Sequence, residues 1–286
     1  MRDQAPLGAV DALSLDAALA QRFESTDRGG GGGGGGGGVL AWVHSVYERT
    51  VNVIDSGFLF CVVDASLDDA PRTVRIAQKR PTWRELRTGD EVRIEPSSIV
   101  FKPGAESLTV SFTSARRWVP TAFDFTVPTA DQLREHAAII SRRLSETRPR
   151  SPFEELSAAA LEERVARLDR TLETGDRPQL AAAAADLIGL GAGLTPSGDD
   201  VLAGLMVLAS QPGMRLGSAL PGLTDALRAI EHKTTAVSAS MLEEAAAGRG
   251  RQPLHELMAL LSRSGSEAVA ALRLDMVLER ISQIGH

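Results

Sequence analysis

Residues 189–200 read GLGAGLTPSGDD, with glycines at 189, 191, 193 and 198 and adjacent carboxylates at Asp199 and Asp200. The glycine spacing is not that of a dinucleotide fingerprint, because an alanine-rich helical segment rather than a strand precedes it. No Gly-Lys-Ser/Thr follows, so a P-loop is excluded as well. What remains is the start of a helix. Thr195 could cap it with Pro196 at the first helical position, or Ser197 could cap it with Asp200 three residues on, and the sequence leaves both open. In either case free backbone N–H groups gather near Ser197 to Asp199, and glycine lets a ligand approach closely. A carboxylate there also complements the helix dipole with no other duty. Adjacent helical side chains point about 100° apart. Asp199 and Asp200 are therefore expected to divide their work, one meeting a substrate or cation and the other anchoring backbone.

A second polar group lies in EHKTTAVSASMLEEAAAG, residues 231–248. On one helix from Leu223 to Ala247, Leu227, Ile230, Val237, Met241 and Ala245 would form a buried stripe, with Thr234 and Ser238 beside it. These hydroxyls could bond back to their own helix. Alternatively Thr234, Thr235 and Ser238 line a cleft, with Lys233 supplying positive charge for a small anion. His136, His232 and His255 fit surface or helix-face positions, and His44 and Asn52 sit on strands as structural hydrogen-bonders.

The elements that must position these groups fall into an α+β plan. Residues 1–38 read as a flexible tail, because Gly29 to Gly38 are consecutive glycines that act as a tether. Residues 39–125 read as a small antiparallel β domain, a sheet or partial barrel. Its strand candidates are Val39 to Asp55, Phe58 to Ala65, 72–78, 90–101 and 107–112. Trp42, Trp83, Trp118 and Tyr47 are expected in its core. Residues 126–286 read as helical, with segments at Thr129–Thr147 (capped by Thr129), Phe153–Leu172, Gln179–Ile188, Leu202–Ser210, Leu223–Ala247, Pro253–Arg263 and Glu267–Ile284. The segment at 201–209 is apolar all round and predicts burial, which would open the polar mouth at Thr195 to Asp200 onto a cleft or an interface.

Composition narrows the function classes. The chain has 286 residues, 43% hydrophobic, and a formal charge of −6, which argues against a nucleic-acid footprint. Cys61 is the single cysteine, so neither a disulfide framework nor a multi-thiolate metal site is expected. No stretch approaches the roughly 18 to 20 apolar residues of a membrane span, and the N-terminus lacks a signal-peptide core. A cytoplasmic location follows as the expectation.

Three motifs together, GLGAGLTPSGDD, KTTAVSASMLEEAAAG and the earlier VHSVYERTVNV, resemble the AllH family over about residues 39–286. The resemblance implies a subunit of a multi-subunit oxamate carbamoyltransferase of allantoin and purine breakdown, acting with other subunits. The implied reaction converts oxalurate and phosphate to oxamate and carbamoyl phosphate, or the reverse, and those small anions suit the site. The matching positions are Gly189, Gly191, Gly193, Thr195, Pro196, Ser197, Gly198, Asp199 and Asp200, with Thr234, Thr235 and Ser238. Asp199 and Asp200 are the catalytic candidates. Gly191, Gly193, Thr195, Ser197, Gly198, Lys233, Thr234, Thr235 and Ser238 are the substrate-binding ones. No cofactor is expected beyond a possible Mg²⁺ at Asp200. The alternative is a non-catalytic assembly subunit whose glycines pack against a partner backbone. Family members continue past the point where this chain stops, so a truncated C-terminus is a further expectation.

Overall fold

The computed structural model describes residues 8–26, 38–78, 83–102, 107–121, 129–146, 152–230, 232–262 and 267–282. The chain divides into two compact units, Met1–Val119 and Pro120–His286.

The first unit is a barrel. Its strands are β1 (Gly8–Asp16), β2 (Val39–Val46), β3 (Thr50–Asp55), β4 (Phe58–Val63), β5 (Thr73–Ile76), β6 (Glu91–Ile94), β7 (Ser98–Phe101), β8 (Leu108–Ser111) and β9 (Arg116–Trp118). They run in the order β5-β4-β3-β2-β6-β7-β8-β1-β9, and β1 also pairs with β5, which closes a ring of eight strands. Most pairings are antiparallel, but β1–β8, β1–β9 and β4–β5 are parallel. The sheet is thus mixed rather than antiparallel. Two of the three parallel pairings come from β1, whose first half pairs with β8 and second half with β9, and the third joins β4 to β5.

That strand overturns the reading of residues 1–38 as a loose tail. Leu15 is fully buried, and α1 (Ala17–Thr26) inserts Leu19 and Phe23 at one-turn spacing into the barrel core. The Phe23 ring stands 5.3 Å from Phe60 and 5.7 Å from Phe112. Residues 29–37 of the glycine run lie outside the described residues.

Alternating β-branched residues fill the interior: Val51, Val53, Val62, Val74 and Ile76 are all fully buried. The β3–β4 hairpin turns on Ser56 and Gly57, at φ 47° and 86°, a two-residue loop that needs left-handed backbone twice. The candidate strand at Val39 to Asp55 is two strands, β2 and β3. The one at 90–101 is also two, β6 and β7, parted around Pro96. Trp83 and Trp118 are buried, whereas Trp42 and Tyr47 are 45% and 39% exposed, unlike the core placement expected of them.

The second unit is helical: α2 (Ala130–Glu146), α3 (Pro152–Thr174), α4 (Arg177–Ala185), α5 (Ser197–Ala209), α6 (Leu220–Ala226), α7 (Ala236–Ala246), α8 (Gln252–Leu261) and α9 (Glu267–Ser282). Thr129 caps α2 reciprocally: its hydroxyl accepts the Gln132 N–H at 3.3 Å and its own N–H donates to Gln132 Oε1 at 2.8 Å. The core gathers Leu180, Leu187, Leu202, Met206, Leu223 and Leu242 from α4 through α7. On α5, Val201, Gly204, Leu205 and Leu208 are only partly covered, so its burial is less complete than its all-round apolarity predicts. The expected single helix from Leu223 to Ala247 is interrupted. His232 takes φ 65°, and a new helix begins after Thr235, whose hydroxyl caps it.

Candidate functional site

The loop between α4 and α5 is built by glycines doing two different jobs. Gly189 has φ 77°, and a Cβ there would lie 1.9 Å from the Lys233 carbonyl oxygen. Gly198, in the first turn of α5, would place a Cβ 2.1 Å from the Leu187 carbonyl oxygen, and its N–H donates to Leu190 O at 2.8 Å. These two permit contact of backbone with backbone. Gly191, at φ 118°, does both, since a Cβ there would lie 2.8 Å from Ser197 N, and Gly193, at φ 98°, serves conformation alone, because a Cβ on it would meet nothing within 4 Å.

Asp199 is fully buried and ties this loop to α7. Its Oδ1 accepts the Gly189 N–H at 2.8 Å, and its Oδ2 accepts the hydroxyls of Ser238, at 2.6 Å, and Thr234. Thr235 completes the seam. Its hydroxyl donates to Leu194 O at 2.5 Å and accepts the Ser238 N–H at 3.1 Å. Three donors and the positive end of α5 offset the desolvation of the carboxylate. Because Asp199 and Ser238 are both fully buried, the expectation that they would touch a ligand gives way to a fixed internal network. Neither side-chain cap proposed for α5 forms, since Pro196 occupies the cap position and only its carbonyl accepts, from the Asp199 and Asp200 N–H groups.

Asp200, about 100° further round the helix, is open to solvent at the surface yet hemmed in by surrounding protein. That enclosure, with the Asp199 charge adding to it and Arg251 opposing, pushes its carboxyl up to about 6. It has no hydrogen-bond partner among the described residues.

The loop that leads into α5 carries unused donors. Among the described residues the backbone N–H groups of Gly191, Ala192, Gly193, Leu194, Thr195 and Ser197 have no partner. Ala192, Gly193, Leu194 and Ser197 are exposed. Of these residues only Gly191 and Gly193 take positive φ, and open N–H groups next to a helix N-terminus are an arrangement that receives anions. Lys233 is also exposed, but its ammonium donates to Ala185 O at 3.3 Å, at the C-terminal end of α4.

Two further residues of the helical unit carry no signal in GLGAGLTPSGDD itself. Arg251, at the cap of α8, is half-buried and its charge reaches Asp200. His255, expected on a surface or helix face, is 3% exposed, and its Nε2 accepts the Gly250 N–H at 3.0 Å. Burial lowers its pKa by disfavouring the charged ring. The nearest cue was the glycine-punctuated stretch GRGRQP just before a helix. Among the described residues no group of three His, Cys, Asp or Glu side chains is placed to hold a metal ion.

The same chain matches two family models. One, described as oxamate carbamoyltransferase subunit AllH, covers residues 187–286 and so opens two residues before Gly189. The other, the AllH family N-terminal domain, covers residues 11–117. The chain belongs to the AllH family. Its N-terminal match begins inside β1, in keeping with that strand's place in the barrel and earlier than the motif resemblance that starts at residue 39. The AllH description is that of a subunit, so the family implies assembly with other chains. No solved structure matches this AllH family member. Among the described residues no helix is long and apolar enough to cross a membrane.

Proposed function

We propose that this chain binds the small anionic substrate of an oxamate carbamoyltransferase-like assembly at the 191–197 loop and the start of α5. The observation that carries the reading is the run of unpaired backbone N–H groups beside Asp200, held rigid by the buried Asp199 network. Catalysis is then positioning and charge stabilisation. With oxalurate and phosphate, a phosphate oxygen attacks the ureido carbonyl, the carbon–nitrogen bond breaks, and the departing amide nitrogen takes a proton to leave oxamate. Loop N–H groups and the hydroxyls of Thr195 and Ser197 hold the anionic oxygens. Asp200 accepts an N–H of the substrate, and it is the carboxylate at this mouth that a Mg²⁺ ion would use. Asp199, Thr234 and Ser238 act as positioning residues.

The test is calorimetry of the full chain with oxalurate, oxamate and carbamoyl phosphate, followed by carbamoyl transfer after co-assembly with partner subunits. Saturable binding that Ser197→Trp abolishes supports the reading, and its absence for every ligand contradicts it. A second reading, an assembly subunit that touches no substrate, draws on Leu194, which is 41% exposed at the loop tip, and on the uncovered face at Gly204. Stable co-assembly without ligand binding favours that alternative.

A further inference from the structure

The outer wall of the barrel carries an apolar surface that the fold itself does not use. On β2, Ala41 and Val43 belong to the core, while the alternate residues Leu40 and Trp42 face outward, 52% and 45% exposed. Their cross-strand neighbours share that face. Leu40 stands opposite Arg93 and Trp42 opposite Glu91 on β6; Trp42 also stands opposite Ile54 on β3, and Arg93 opposite Val100 on β7. Ile54 and Val100 are half-buried, and neither is part of the barrel core. A sheet face that meets only water is polar at such positions. Single exposed apolar side chains are ordinary, but Ile54, Trp42 and Leu40 adjoin across two strands around an exposed tryptophan, which marks an interaction surface.

The charges on this wall say which partner fits it. Glu91 and Arg93 lie two residues apart on the same face of β6, and within the chain they approach only to 4.0 Å, both partly exposed. The wall therefore has two rows, one holding Trp42 and Glu91 and the other Leu40 and Arg93. A two-fold axis that lies between two such walls, runs across the strands and passes midway between the rows turns each row onto the other. Arg93 then meets Glu91 of the second copy, and Leu40 meets its Trp42. Each contact is made twice, which is the self-complementarity that an isologous interface requires. The Arg93 stem is also held in place, because it rests against the Gly38 backbone, where a Cβ would lie 2.6 Å from Arg93 Cγ.

We propose that this wall is where two copies of the chain pair, barrel against barrel, through β2 and β6. A wall made for a different chain needs no match with itself, whereas these rows match under a two-fold rotation in both charge and apolar character. Face-to-face sheets stand about 10 Å apart, a gap that tryptophan, leucine, arginine and glutamate side chains fill. The inference is independent of the anion site.

The experiment is sedimentation equilibrium of the full chain. The wild-type chain is expected to be a dimer at micromolar concentration. Trp42→Ser is expected to raise the dissociation constant by about thirtyfold or more, since a central tryptophan carries a large share of an interface. Glu91→Arg and Arg93→Glu each bring like charges together and are expected to be monomeric under the same conditions. Mixing those two variants restores a dimer, because the basic pair of one then faces the acidic pair of the other. Recovery on mixing also separates lost pairing from a damaged fold. A wild-type chain that stays monomeric overturns the inference, even where a different protein covers Trp42. A dimer that survives all three substitutions, or charge variants that do not combine, overturns it as well.

Discussion

The barrel satisfies buried carboxylates in two ways: Asp16 and Asp64 accept backbone N–H groups, as Asp199 of the helical unit does, while Asp55 and Asp69 meet arginines. In the barrel Asp55 pairs with Arg22 at 2.9 Å, and Asp69 pairs with Arg116 at 2.5 Å while also accepting the Ser14 hydroxyl. In the helical unit Asp199 receives one backbone N–H and two hydroxyls, with no cation among the described residues. An ion pair cancels charge where it sits, whereas neutral donors solvate it and leave it in place. The uncancelled charge is felt next door, where it adds to the upward push on Asp200. At Asp55 and Asp69 the charge is cancelled by an arginine, whereas the motif leaves one of its two carboxylates available.

The sharpest way to break this comparison is to delete one carboxylate from each unit. Asp199→Ala orphans the Gly189 N–H and the hydroxyls of Thr234 and Ser238, and is expected to cost about 3 to 5 kcal/mol in urea unfolding. Asp55→Ala is expected to cost no more than about 2 kcal/mol, because Arg22, 37% exposed, can turn to water. Equal losses would erase the distinction.

Next in size is a pair of glycine substitutions within the loop. Gly189→Ala meets the Lys233 carbonyl as well as left-handed strain and should cost more than about 3 kcal/mol, against about 1 to 2 for Gly193→Ala, which meets strain alone. Matching thermal stabilities for the two variants would mean that the Gly189 approach is not a constraint.

The smallest effect is the pH dependence of Asp200. Its carboxyl is raised from an ordinary 3.8 to about 6 in the fold. The folded state therefore holds the extra proton between those values, and the stability contributed by the neutral form is lost as pH rises from about 4 to about 6. Asp200→Asn keeps a neutral group throughout. Its melting temperature relative to wild type should be higher at pH 7.5 than at pH 4, by the equivalent of under about 1 kcal/mol because the group is open to water. A difference independent of pH would contradict the raised carboxyl.

Much of this was legible along the chain, and what was missed was non-local. Alternating valines marked β3, the turn at Asp55 to Gly57 marked its hairpin with β4, Thr129 marked the start of α2, and the 100° step between helical neighbours already separated Asp199 from Asp200. The strand β1 was hidden because a tether-like glycine run follows it, and its partners β5, β8 and β9 lie about 60 to 100 residues away. The break before α7 was masked by continuous helical periodicity, although Thr235 followed three residues later by Ser238 was its local mark. Within the site the motif was visible, but the bonds from Thr234 and Ser238 to Asp199 span 35 and 39 residues, and nothing local ties Arg251 to Asp200.

The central claim is that the open N–H groups of the loop receive a small anion while the Asp199 network stays intact. Titrating the isotope-labelled full chain with carbamoyl phosphate and following its backbone amide resonances tests this directly. The account predicts saturable shifts at Gly191, Gly193 and Ser197, with smaller ones at Gly189 and Gly198, whose N–H groups are already bonded. Saturable shifts confined to other surfaces, or none at the loop, would contradict it.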